Sequence, residues 1–154
     1  MRFNYSLKQG VFLRMAYVNL WVHVVWCTKR REPILSEDIR GILFKHLKEQ
    51  SKIKGIKIDR INGYVDHVHL LIRMHPSQCI GNILNHLKGE SSRWCNESGL
   101  TNAHPLWAAE YYAESISGRS VPYVRTYIEN QVRHHQNNLN LDLQVEVRKK
   151  TKQQ

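Results

Sequence analysis

Cysteine is scarce in this chain. The three that occur, Cys27, Cys79 and Cys95, are odd in number, far apart and form no Cys-x-x-Cys pair. That excludes a disulfide framework or a zinc ribbon and leaves reduced, buried thiols of a cytoplasmic protein as the expectation. Acidic residues are scarce too: 13 Asp and Glu face 23 Lys and Arg, a formal charge of +10. A polyanionic partner is therefore expected, nucleic acid foremost, although an anionic membrane surface would attract the same charge. Long apolar runs are missing as well. Arg2, Lys8 and Arg14 precede an apolar stretch, but Asn19 and His23 interrupt it and no small-residue cleavage site follows, so neither a signal peptide nor a membrane span is read. No internal repeat or domain boundary is visible, and 154 residues suit one domain with a respectable core.

What is present favours a folded chain, with 42% apolar and 23% charged residues. Residues 1–15 lack periodicity and read as a loose arm. From Tyr17 to Thr28 the chain is β-branched, aromatic and alternating, which predicts a first strand. Asn19, Trp21, His23 and Val25 share one face of it, and Val18, Leu20, Val22, Val24 and Trp26 the other, apolar one. Ser36 as N-cap, Glu37 and Asp38 behind it, and apolar residues at helical spacing predict a helix over 37–52. Ile56 to Ile61 alternates again, Asn62-Gly63 signals a hairpin turn, and Val65 to Met74 is the next strand. Pro76-Ser77 is expected to open a second helix, with Ile80, Ile83, Leu84, Leu87 and Trp94 buried and Lys88, Ser91, Ser92 and Arg93 off that stripe. Trp107–Ile116 reads as a fourth strand, and residues 121–136 as a helix with Pro122 near its first turn. The tail over 137–154 ends in Arg148-Lys149-Lys150 and reads as an edge strand or a disordered basic segment.

Strand, helix, strand, strand, helix, strand is the ferredoxin-like split β-α-β pattern of an α+β domain. It places two helices on one face of an antiparallel sheet and leaves the other face for a ligand. The last helix is surplus to that fold.

Two features carry chemistry. In Asp66-His67-Val68-His69 the side chains alternate, so His67 and His69 point the same way and make half of a divalent-metal site. A strand end with two solvated histidines has the same pattern. His23 could approach from the neighbouring strand, or serve as a hydrogen-bonded core or rim histidine. Further on, Tyr127 and Gln131 are four apart on a helix, with Tyr123 a turn before and His134 or His135 a turn after. A phenol of pKa about 10 is a poor nucleophile near neutrality, but beside a metal-bound phosphate it can attack phosphorus. Gln131 could add an amide oxygen to the two imidazoles. Core packing of Tyr123 and Tyr127 fits the spacing equally well. Lys29, Arg30 and Arg31 cluster at a strand end, and with Lys88 and Arg93 they are candidate phosphate contacts or simply solvated cations.

Taken in order, Asp66-His67-Val68-His69-Leu70-Leu71-Ile72, Lys88-Gly89-x-Ser91-Ser92-Arg93, Trp107-x-x-x-Tyr111 and Tyr127-Ile128-Glu129-Asn130-Gln131-x-x-His134-His135 resemble the single-tyrosine HUH transposases of small bacterial and archaeal insertion sequences. The resemblance runs from about Tyr17 to His135. It implies a ferredoxin-like fold, Mg²⁺ or Mn²⁺ held by His67, His69 and Gln131, and Tyr127 as nucleophile. It also implies a homodimer that cuts and rejoins single-stranded DNA beside hairpins at element ends through a 5′-phosphotyrosine. Glu110 stands where many such relatives have glycine, and the tail departs from some of them. A non-mobile hairpin-binding protein on the same fold and a small metallohydrolase using His23, His67 and His69 remain alternatives.

Overall fold

The computed structural model describes residues 17–136, so the expected arm at 1–15 and tail at 137–154 lie outside the described residues. Its order is β1 (Leu20–Cys27), a 3₁₀ turn (Lys29–Arg31), α1 (Glu37–Ile53), β2 (Lys57–Gly63), β3 (His67–Met74), α2 (Ile80–Glu97), β4 (Tyr112–Ile116), α3 (Val121–Glu129) and α4 (Gln131–Gln136). The sheet runs β2-β3-β1-β4, with every neighbouring pair antiparallel. This is the split β-α-β arrangement expected from the sequence.

Alternation in β1 and β3 divides the sheet into two faces. Val22, Val24 and Trp26 of β1 join Val68, Leu70 and Ile72 of β3 in one core with Leu43 and Leu47 of α1 and Ile83, Leu84 and Leu87 of α2. The Ser36 hydroxyl accepts the Ile39 amide to start α1, satisfying one of the free N–H groups of its first turn. The opposite face is not left open. There Leu71 packs with Val121, Val124 and Ile128 of α3, flanked by Trp21, Ile116 and Tyr127. Three buried aliphatic side chains on one short helix are worth about 1.5–3 kcal/mol each, less the cost of ordering them.

Polar clasps fix where α3 sits. A β-bulge between Ile58 and Arg60 interrupts the β2–β3 register, and the bulged Asp59 takes two 2.8 Å bonds from Arg125. Asn62 Nδ2 donates to the Glu129 carbonyl at 2.9 Å, and Arg60 pairs with the Glu129 carboxylate. Among the described residues no helix is long and apolar enough to cross a membrane.

Several boundaries differ from the sequence reading. Gly63 still belongs to β2 and pairs with Val68, so the hairpin closes through Tyr64–Asp66 rather than through Asn62-Gly63. α2 begins at Ile80 because His75–Gln78 forms its own turn, with Gln78 N–H on the His75 carbonyl and the His75 amide on Gln78 Oε1. Ser91 is fully buried rather than solvated, donating to the Leu87 carbonyl and accepting Trp107 Nε1–H. The fourth strand is shorter than expected. Trp107 makes only an isolated bridge with Thr28, and Lys88 Nζ takes the carbonyls of Ala109 and Glu110 that a strand neighbour would use. Of the cysteines, Cys95 is buried but Cys79 is exposed at the start of α2.

The expected single helix over 121–136 is two. At Asn130 (φ −95°, ψ 14°) α3 ends, and side-chain amides bond back one turn: Asn130 Nδ2 joins the Asn130 N–H on the Thr126 carbonyl, at 2.9 and 3.1 Å, and Gln131 Nε2 reaches the Tyr127 carbonyl at 3.1 Å. Such local side-chain bonds compete with the helical ladder.

Candidate active site

The face beneath α3 carries the histidines. His67 and His69 are fully buried on β3, opposite Cys27 and Val25 of β1. Their rings meet edge-on at 5.0 Å. Each has its Nδ1 engaged: His67 Nδ1 donates to Asp66 Oδ1 at 2.6 Å, and His69 Nδ1 lies 2.9 Å from His23 Nε2. Each has its Nε2 buried without a hydrogen-bond partner. Buried polar atoms are normally satisfied, so a pair of neighbouring orphan nitrogens marks a place for a ligand.

The support behind His67 extends further. Arg31 Nε donates to Asp66 Oδ2 at 2.9 Å, giving a line Arg31–Asp66–His67. Burial works to raise the Asp66 pKa, but the His67 hydrogen bond and charge and the Arg31 guanidinium together hold it below the ordinary value. Arg31 reaches Asp66 from a turn in which both Arg30 and Arg31 have φ near 56°. The left-handed region costs an L-residue on the order of 1–2 kcal/mol, and Thr28 secures the turn, its hydroxyl on the Glu32 carbonyl at 2.7 Å and its carbonyl accepting Arg31 N–H.

His23 is 1% exposed, stacked on His69 at 5.2 Å between ring centroids. Burial pulls its pKa down to about 4 against a smaller opposing pull from Glu114. Burial, then the charges of His67, His23 and His135, holds His69 well below its ordinary value. Both imidazoles of this pair are therefore neutral at pH 7, the form in which imidazole binds a metal.

α3 and α4 close the site from above. The Tyr127 ring lies 5.7 Å from His69 and 6.1 Å from His23, edge-on to both. His134 leans on Tyr127 at 5.6 Å, and His135 stacks on Tyr64 at 4.6 Å while reaching His67 at 4.9 Å. Gln131 is 1% exposed between Tyr127 and His135, four residues from each, and both of those rings touch the histidine pair. With Nε2 committed to the Tyr127 carbonyl, the amide oxygen of Gln131 remains the acceptor. Among the described residues no group of three or more His, Cys, Asp or Glu is arranged to hold a metal. The two Nε2 atoms, and the amide oxygen of Gln131 if it turns to them, could together hold a metal. This mix of nitrogen and oxygen, with positions left for water or phosphate, suits a divalent ion such as Mn²⁺ or Mg²⁺.

Tyr123 does not join this group; it is 75% exposed, so it does not pack in the core. The basic residues divide. Lys29 and Arg30 are exposed at the strand end next to Asp66, whereas Arg31 is half-buried with its Nε on Asp66. Lys88 is half-buried on backbone carbonyls and lies over the Tyr111 ring, and Arg93 is 70% exposed, 3.9 Å from Glu97. His23, expected from the neighbouring strand or as a hydrogen-bonded core histidine, is buried and bonded to His69. The sequence reading missed the Asp66 and Arg31 support of His67, although Asp66 stands beside it in the sequence.

The frame is an α+β domain, an antiparallel sheet backed by helices, with a His-x-His pair beneath a tyrosine-bearing helix. The chain belongs to the IS200-like transposase family, whose model matches residues 16–131. It is similar to the ISDra2 transposase TnpA of Deinococcus radiodurans, 28% identical over 136 residues covering 82% of this chain and 91% of that protein. A transposase for insertion sequence element IS200 from Salmonella typhimurium is 23% identical over 119 residues, 74% of this chain and 78% of that one. A crystal structure assigned as a transposase from Deinococcus radiodurans R1 superposes with TM-score 0.62 at 28% identity, covering 81% of this chain and 98% of that one. A REP-associated tyrosine transposase bound to a REP hairpin shares the fold, with TM-score 0.59 at 14% identity over 82% of this chain and 74% of that one. By family, then, this is a transposase, an enzyme that cleaves and rejoins DNA.

Proposed function

We propose that the chain cuts and rejoins single-stranded DNA at the ends of an insertion sequence, with Tyr127 as nucleophile and a divalent ion on His67, His69 and Gln131. The observation that carries this reading is the placement of the Tyr127 ring against His69, above two buried imidazole nitrogens that have no partner. Mg²⁺ or Mn²⁺, when bound, would polarise the non-bridging phosphate oxygens and offset the charge that develops on them. Tyr127 Oη bonds to phosphorus as the bond to the 3′-oxygen breaks, and the departing oxygen takes up a proton to become a free 3′-hydroxyl. A 3′-hydroxyl then attacks the 5′-phosphotyrosine, restoring the phosphodiester and the phenol. No external energy source is needed, because each step exchanges one phosphate ester for another. His67 and His69 stay fixed through their Nδ1 partners, and α3 carries the phenol to the phosphate.

The hairpin substrate is supported by the same-fold transposase bound to a REP hairpin, and the exposed Lys29 and Arg30 would meet the phosphate backbone near the site. The homodimer belongs to the proposal as well. The contact of Tyr127 with the histidine pair within one chain supports a protomer that can supply both. The metallohydrolase alternative loses support because His23 Nε2 is turned to His69.

The test is incubation with single-stranded DNA from the flanks of the gene, read on a denaturing gel for a covalent adduct. Tyr127→Phe should abolish the adduct while leaving folding and DNA binding unchanged, and Tyr123→Phe should keep it. An adduct mapped to Tyr123 would overturn the assignment. Adduct formation should also vanish in chelator and return with Mg²⁺ or Mn²⁺; full activity in excess chelator would remove the metal from the proposal.

A further inference from the structure

We infer that His23 is a positioning residue for His69: its Nε2 accepts the proton on His69 Nδ1, which fixes His69 in the tautomer whose Nε2 lone pair faces the ligand site. This rests on the metal reading given above, and it assigns a task to a residue on a different strand. The geometry is specific. His23 lies opposite Leu71, diagonal to His69 across β1 and β3, with a 2.9 Å nitrogen-to-nitrogen contact and rings 14° from parallel. One proton occupies that contact. If His23 held it, His69 would carry its own proton on Nε2, and the ligand position would face an N–H instead of a lone pair. If His69 holds it, the lone pair is free and both inner nitrogens are satisfied.

His67 has the same arrangement with a different partner, since Asp66 accepts its Nδ1 proton. Both candidate ligands are therefore backed at Nδ1 and open at Nε2, the pattern by which outer partners orient metal-binding histidines. A merely space-filling role explains less. His23 is buried among His69, Tyr112 and Tyr127, where phenylalanine would fill the same volume without desolvating two ring nitrogens. Nor is His23 a third ligand, because the nitrogen it turns to the site is the one used on His69 Nδ1.

The experiment uses the full chain and compares wild type with His23→Phe and His23→Gln. Long-range ¹H–¹⁵N correlation of the metal-free wild type should show His69 protonated on Nδ1, and Mn²⁺ binding should be followed by electron paramagnetic resonance. His23→Phe keeps the ring packing and removes the acceptor. It should weaken Mn²⁺ binding on the order of 10–100-fold and let His69 sample the Nε2–H tautomer. His23→Gln restores an acceptor oxygen and should recover most of the affinity, which a loss of packing would not predict. An Nε2–H tautomer at His69 in the wild type, or unchanged Mn²⁺ affinity in His23→Phe, would overturn the inference. Should His23→Phe fail to fold, the wild-type tautomer and His23→Gln still decide it. If wild-type binding is unaffected by His67→Ala, the metal reading itself falls, a result distinct from failure of His23 alone.

Discussion

Gly63 shows how closely the site is built. A Cβ placed there would lie 2.1 Å from the His67 carbonyl oxygen, a backbone atom that cannot step aside. The requirement is closeness, since Gly63 does not have a positive φ. Gly63→Ala is therefore expected to open the hairpin at its closing pair and displace His67, costing about 1–3 kcal/mol, as overpacking does. Gly89, exposed on α2 with nothing within 4 Å of its would-be Cβ, is the contrasting case. Gly89→Ala should stabilise the protein by about 0.5–1 kcal/mol through helix propensity alone. Urea unfolding of the two variants beside wild type checks both signs, and equal effects would show that the crowding at Gly63 is relieved elsewhere. Asn62-Gly63 was read as a turn signal, but the glycine serves a close approach one step before the turn. The residue type was legible and its reason was not.

Elements were legible where periodicity ran long. Strands β1 and β3 and helix α1 follow from alternation and from Ser36, and their order gave the sheet. What the pattern could not supply was competition from side chains. Lys88 draws the carbonyls of residues 109 and 110 out of the sheet, and the amides of Asn130 and Gln131 divide one expected helix into two. His67, His69, Tyr127 and Gln131 were singled out by spacing and family resemblance, and the fold brings the rings of the first three together. Arg31, grouped with candidate phosphate contacts, also braces Asp66 from a turn of two left-handed residues. The docking of α3 was invisible, since it depends on a bulge at Asp59. That clasp can be tested. Arg125 makes both bonds to Asp59 and lies over the Trp21 ring at 5.5 Å, so Arg125→Ala should lower stability, through a lost bidentate pair and lost packing. Adduct formation should fall more than DNA binding, because α3 carries Tyr127. Equal losses in both assays would count against α3 as the element that positions the tyrosine.

For the whole molecule, the buried histidines tie folding to pH. His23 has a folded pKa of about 4 against an ordinary 6.5, so between those values the unfolded chain binds a proton that the folded chain does not. Stability is complete above about pH 6.5, falls as the pH drops towards about 4, and levels off below, a window worth roughly 3 kcal/mol for this residue. His69, also lowered, acts with the same sign. Urea unfolding of the metal-free protein should show this loss, with a shallower slope in His23→Phe; parallel slopes would show that His23 does not titrate with folding. The placement of α3 has a further consequence, a mechanical one. Under the proposed linkage, a DNA strand joined to Tyr127 would pull on a nine-residue helix held by Val121, Val124, Ile128 and the Arg125–Asp59 clasp. The clasp passes its share of the load to β2, an edge strand, while the histidines sit on β3 between two hydrogen-bonded neighbours. Tension on that strand would peel the helix from the sheet, taking Tyr127 from the histidines before the histidines left each other.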